Sequence, residues 1–127
     1  MQFIEGFLSS AEAAQWLDQL ELADWIAWKR ESFRIYGREV DAPRTLSWFG
    51  DAGLNYRYTS VDHRASGWPA PIKELKDAIE QAAQQPFNFL LLNRYANGSE
   101  HMGWHRDDER GCSCLLYTSD AADDTPC

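Results

Sequence analysis

The segment that decides the fold is Phe87–Glu109, FNFLLLNRYANGSEHMGWHRDDE. Its first part, Phe87–Tyr95, is apolar on both faces, which predicts a strand covered on both sides. Alternation along a strand puts Phe87, Phe89, Leu91, Asn93 and Tyr95 on one face. Asn93 and Tyr95 therefore continue an apolar face, as polar groups lining a ligand pocket do. Ala96–Glu100, with Asn97-Gly98, reads as a turn. Met102–Arg106 reads as a second strand that carries His105 to its end.

If the chain stays extended, His105 and Asp107 point to the same side. One imidazole and one carboxylate so placed are two of the three ligands of a facial iron(II) site. The pair alone is weak evidence, because His-x-Asp more often marks a surface or a turn. Three features strengthen it. Asn93 and Tyr95 lie one hairpin upstream on the same face, their strand is apolar enough to be central, and the run Asp107-Asp108-Glu109 favours a cation beside His105. Within that run Glu109 reads as solvated. His105 is the last of three histidines, so no histidine follows to complete the set.

Working back toward the N-terminus, Ser9-x-x-Glu12 is a capping-box signature. Ala13, Trp16, Leu17 and Leu20 then form an apolar stripe, predicting a helix from Ser10 to Leu22. Trp25–Tyr36 reads as one or two strands and Gly37–Arg44 as a loop. Leu46–Phe49 and Leu54–Tyr58 read as short strands around a turn at Gly50–Gly53, and Asp62–Pro71 as loop. Ile72, Leu75, Ile79 and Ala82 predict a second helix, with Pro71 in its first turn and an end before Pro86. Trp16, Trp25, Trp28 and Trp48 are expected in the core, and His63 and His101 at turns or the surface. The order of elements predicts an α+β fold, with N-terminal helices packed on one face of a sheet whose strands fit half of a jelly roll or a β-sandwich.

At 127 residues the chain is at most one domain. No run approaches 18 apolar residues, so no membrane partner is expected. The start lacks the basic region of a signal peptide, which makes a cytosolic location, or a nuclear one in a eukaryote, the default. Cys112, Cys114 and Cys127 all lie near the end, too late to staple a core, and Cys-x-Cys is a poor zinc half-site. The net charge of −8 argues against a broad basic surface. Setting aside the three aspartates after Cys112 leaves −5 for residues 1–111, and Lys29–Arg64 holds seven basic against five acidic residues. That stretch can face phosphate, although a mixed solvated surface explains its charge equally simply.

A wider set of spaced motifs is specific. Pro43-Arg44, Phe49-Gly50-Asp51-Ala52-Gly53-Leu54-Asn55-Tyr56, Phe87-Asn88-Phe89, Asn93-Arg94-Tyr95, Gly98, His101 and His105-Arg106-Asp107-Asp108-Glu109-Arg110 together resemble the AlkB family, nearest its double-stranded DNA repair branch. These are iron(II)- and 2-oxoglutarate-dependent dioxygenases that demethylate alkylated nucleobases. The resemblance covers about residues 3–110 and implies a double-stranded β-helix, Fe(II) and 2-oxoglutarate as cofactors, and alkylated DNA, double- or single-stranded, as partner. It implies that His105 and Asp107 hold the metal and that Asn93 and Tyr95 bind 2-oxoglutarate. It further implies that Tyr56 and Tyr58 flank the base pocket, that Asp108 contacts the base, that Tyr36 in Ile35-Tyr36-Gly37 enters the duplex, and that Arg44 contacts the nucleic-acid backbone. Iron would activate dioxygen as 2-oxoglutarate is oxidised to succinate, and the hydroxylated methyl group would leave as formaldehyde. A monomer is expected when complete.

After Arg110 the resemblance stops. The family continues with the other half of its jelly roll, a second histidine ligand and carboxylate-binding arginines, whereas residues 111–127 contain no histidine or arginine. The expectation is therefore a partial dioxygenase domain over residues 1–110, lacking its C-terminal half and with little activity by itself, followed by a tail that reads as translated adapter or vector sequence. Competing readings are an AlkB-like oxygenase acting on RNA or protein, and a nonenzymatic nucleic-acid-binding fragment.

Overall fold

The structure, a computed structural model, describes residues 3–58 and 61–104. The described residues are α+β, with two helices and six short strands among them. Helix α1, Ser10–Leu22, starts where the sequence predicts. Ser9 Oγ accepts from Glu12 N at 3.1 Å and Glu12 Oε1 accepts from Ser9 N at 3.2 Å, closing the capping box. Its apolar stripe is not enclosed: Leu17 is 61% exposed, and Trp16 and Leu20 are half-buried. Arg94 ties the helix to the rest by forking onto Glu21, with Nε to Oε1 at 2.9 Å and a second bond from NH2 to Oε2.

Strands β1, Ser32–Ile35, and β2, Arg38–Asp41, form an antiparallel hairpin in which Ile35 pairs with Arg38. Only Tyr36 and Gly37 are left for the turn, with φ of +48° and +77°. Two successive positive φ values mark the type I′ turn, whose twist matches a two-residue hairpin. The expectation of a loop over Gly37–Arg44 is corrected here. Every residue of β2 is exposed, so no apolar period advertises the strand, and the turn specifies the pairing instead.

Strand β3, Thr45–Gly50, does not pair with the strand that follows it in sequence. Strands β4, Asn55–Tyr58, and β5, Val61–Arg64, pair with each other, which corrects the reading of the start of Asp62–Pro71 as loop. Helix α2, Ala70–Ala83, has Pro71 in its first turn and ends at Gln84 in the left-handed conformation. Ile72 is its buried residue, and Leu75, Ile79 and Ala82 are half-buried. Strand β6, Phe89–Arg94, returns to pair antiparallel with β3, with Leu46 opposite Asn93, Trp48 opposite Leu91 and Gly50 opposite Phe89. Its leucines are half-buried, not covered on both faces as the sequence suggests.

The core gathers around this ladder. Ile26, Ala42, Leu46, Ala65 and Ile72 are buried, together with the polar Arg44, Ser47 and His63. Gly50 lets three segments meet, because a Cβ there would fall 2.8 Å from Asn88 O, 2.9 Å from Phe89 Cδ2 and 3.0 Å from Ala65 Cβ. The four expected core tryptophans sit around the rim: Trp25 is exposed, and Trp16, Trp28 and Trp48 are half-buried. The described strands form three two-stranded antiparallel ladders, β1–β2, β3–β6 and β4–β5. Isolated bridges pair Lys29 with Leu46 of β3 and Gly67 with Gly50 of β3.

Candidate functional site

The β3–β6 ladder places Asn93. Residues opposite one another in an antiparallel ladder share a face, so Leu46, Trp48, Phe89, Leu91 and Asn93 line one side. Arg44 lies two residues before Leu46 and, by alternation, falls on that side too. Its Nε donates to Asn93 Oδ1 at 2.8 Å, and its NH1 donates to Met102 Sδ at 3.5 Å. Arg44 is 1% exposed. The guanidinium is turned inward, where burying it requires hydrogen-bond partners. Tyr95, just past the end of β6, is 42% exposed.

Tyr56 packs on the same strand from the other hairpin, its ring 4.6 Å from that of Phe89 and tilted by 31°. Tyr58 ends β4. Tyr36 is fully exposed at the tip of the β1–β2 hairpin, beside the half-exposed Ile35. A side chain there, with a left-handed backbone and a hairpin beneath it, projects clear of the body.

The turn after β6 is held from several sides. Asn97 Oδ1 accepts from Ser99 N at 2.9 Å and Asn97 O from Glu100 N at 3.1 Å, the bonds of an Asx-type turn. Glu100 Oε2 accepts from Ala96 N at 2.8 Å and Oε1 from Arg30 NH2 at 2.8 Å. The Ala96 amide first, and Arg30 with it, hold the Glu100 carboxyl below its ordinary value. Arg30 also donates to Ala42 O at 2.8 Å. His101 is exposed beside Ser99, as expected. Met102, Gly103 and Trp104 are not in a strand, which corrects that part of the predicted Met102–Arg106 strand. His105, Asp107 and Asp108 lie outside the described residues, and so does the side chain of Tyr58. Among the described residues no three His, Cys, Asp or Glu side chains gather as a metal set, and no helix is long and apolar enough to cross a membrane.

His63 departs most from its sequence reading. It is fully buried, with Nε2 2.5 Å from Glu31 Oε1 and Nδ1 3.2 Å from Tyr56 O. Its ring meets Trp48 edge-on at 4.6 Å. Trp48 Nε1 in turn donates to Arg64 O at 3.0 Å, and the Lys29 ammonium lies 4.9 Å from its ring centre. Glu31, Arg30 and Glu100 carry no motif in the sequence, since each acquires its role from a partner distant in the chain.

The family description "2OG-Fe(II) oxygenase superfamily" matches residues 1–116. DNA oxidative demethylase ALKBH2 of Homo sapiens is 33% identical over 101 residues, covering 79% of this chain and 39% of that protein. ALKBH2 of Arabidopsis thaliana is 35% identical over 112 residues, 85% of this chain and 35% of that protein. Alpha-ketoglutarate-dependent dioxygenase alkB homolog 3 of Homo sapiens is 31% identical over 105 residues, 82% of this chain and 35% of that protein. The chain thus spans well under half the length of these curated relatives.

Proposed function

The chain belongs to the 2OG-Fe(II) oxygenase superfamily, within its AlkB family, and from that premise we propose that it takes part in the oxidative demethylation of alkylated bases in DNA. The observation that carries the reading is the match to DNA oxidative demethylases along most of this chain. The β3–β6 ladder is proposed as the start of the family's double-stranded β-helix.

His105 and Asp107 are the proposed iron ligands, an imidazole and a carboxylate of the kind iron(II) oxygenases use. Asn93 and Tyr95 are the proposed partners of 2-oxoglutarate. The donor chemistry fits: Asn93 Oδ1 is engaged by Arg44, so the amide NH2 remains to donate to an anionic oxygen. When bound, iron and 2-oxoglutarate supply with dioxygen the oxidising power that hydroxylates the methyl group, which is then lost as formaldehyde.

The remaining residues bind and open the nucleic acid. A base held in the stack must be flipped out, which costs a few kcal/mol. Tyr36, projecting from its tight turn, is suited to fill the space left behind. Tyr56 and Tyr58 supply aromatic faces for the extruded base, and Asp108 a carboxylate for a cationic methylated one. The excess of basic residues between Lys29 and Arg64 supports a phosphate-facing side.

The test is formaldehyde and succinate release from methylated single- and double-stranded DNA, with methylated RNA and peptide alongside, in the presence of Fe(II) and 2-oxoglutarate. Iron-dependent release from DNA is expected of a version that carries the rest of the family's domain. Release from RNA or peptide alone would move the substrate class, and binding without turnover on every substrate would leave only a binding fragment.

A further inference from the structure

We propose that Arg44 is a positioning residue that fixes the amide of Asn93, so that its Nδ2 end is presented to an anionic oxygen of 2-oxoglutarate. This rests on the reading of Asn93 as a cofactor-binding residue. An asparagine side chain can turn either its oxygen or its nitrogen toward a given neighbour. A guanidinium has five donors and no acceptor, so the Asn93 atom that faces Arg44 has to be the oxygen. The contact is Nε to Oδ1 at 2.8 Å. With Oδ1 occupied, the two Nδ2 hydrogens are what Asn93 offers a ligand, and they suit a carboxylate or keto oxygen. The opposite orientation would aim an acceptor at an anion.

The surroundings hold Arg44 in place. It is 1% exposed, directly before β3, and its NH1 reaches Met102 Sδ at 3.5 Å. Met102 lies three residues before His105. One side chain therefore links the edge of β3, the strand bearing Asn93 and the approach to the proposed metal ligands. A buried guanidinium keeps such a position only where its donors are satisfied, so its orientation is set before any ligand arrives.

The experiment uses the chain completed with the rest of the family's domain, carrying Arg44→Lys, Arg44→Met, Asn93→Ala or the double variant Arg44→Met/Asn93→Ala. Near-ultraviolet circular dichroism confirms native packing of each. Binding of 2-oxoglutarate is titrated calorimetrically with manganese(II) present, and the Asn93 side-chain amide is followed by nitrogen-15 NMR. Arg44→Met should weaken binding by about tenfold, the worth of one well-placed hydrogen bond to a charged group. It should also shift the Asn93 amide resonances of the ligand-free chain. Lysine is also a donor without an acceptor, so Arg44→Lys should restore most of the affinity and the amide signal. In the Asn93→Ala background, Arg44→Met should cost nothing further, because the residue acts through the amide. Additive losses, or an Asn93 amide unmoved by Arg44→Met, would overturn the positioning role while leaving the cofactor reading in place. Absence of 2-oxoglutarate binding by the unsubstituted completed protein would sink the cofactor reading and this proposal together.

Discussion

His63 Nε2 lies 2.5 Å from Glu31 Oε1 in a fully buried position, joining the β4–β5 hairpin to the segment that leads into the β1–β2 hairpin. The two elements proposed to handle the nucleic acid, one bearing Tyr56 and the other Tyr36, are thereby held to each other. Both ring nitrogens lie within hydrogen-bond reach of oxygen atoms, the Glu31 carboxylate and the Tyr56 carbonyl. Glu31 Oε2 is buried and has no hydrogen-bond partner among the described residues, which leaves the carboxylate dependent on His63.

Removing one member of this pair strands the other. His63→Leu is expected to destabilise the fold by about 3–5 kcal/mol, the cost of an uncompensated buried charge. Glu31→Leu/His63→Leu should lose less than His63→Leu alone, because no charge is left behind. Urea unfolding of the single and double variants gives the comparison; a double variant less stable than His63→Leu would contradict the pairing.

Among the described glycines, Gly50 is the one where an added Cβ would meet its neighbours. Gly50→Ala should cost about 1–3 kcal/mol through overpacking against the Asn88 carbonyl and the Phe89 ring. Gly98→Ala is the control, since a Cβ there meets nothing within 4 Å. Thermal melts should show a lower midpoint for the first and little change for the second; equal midpoints would mean that the cradle relaxes freely.

The Glu100 carboxyl is held below the ordinary value of 4.5 by the Ala96 amide and Arg30. A depressed folded value means that the carboxylate stabilises the turn above the unfolded value. That contribution is lost as pH falls through the folded one. The Ala96 amide resonance should therefore titrate with a midpoint below 4.5, and Glu100→Gln should abolish that titration. A midpoint above 4.5 would reverse the sign and remove the argument.

Tyr36 stands clear of the body at the hairpin tip. A wedge offsets the cost of opening a stack, and a single strand has no partner base to replace. In a version completed with the rest of the family's domain, Tyr36→Ala should thus lower demethylation of duplex DNA by roughly ten- to a hundredfold and spare single-stranded substrate. Equal losses on both would make Tyr36 structural.

Metal ligands serve the chemistry on every substrate. In the same completed version, His105→Ala and Asp107→Ala should each abolish demethylation of duplex and single strand alike and weaken iron binding measured by equilibrium dialysis. Retained turnover in either variant would remove that residue from the site.

What the sequence determined by itself is what depends on near neighbours. The capping box at Ser9 and Glu12, the stripe from Ile72 to Ala82 and the turn at Asn97-Gly98 close within a few residues, so their periods and turn chemistry are readable. The Asn-x-Tyr and His-x-Asp spacing carried the family resemblance in the same way. The tertiary structure decided the rest. Strands β2 and β5 are largely polar and exposed, so only a turn and a partner strand define them. His63 reads as a surface histidine until Glu31, 32 residues away, makes its burial affordable. Arg44 gives no local sign of its burial, which comes with Asn93, 49 residues on. Burial of a polar group depends on whether distant chain supplies a partner, and no local pattern encodes that.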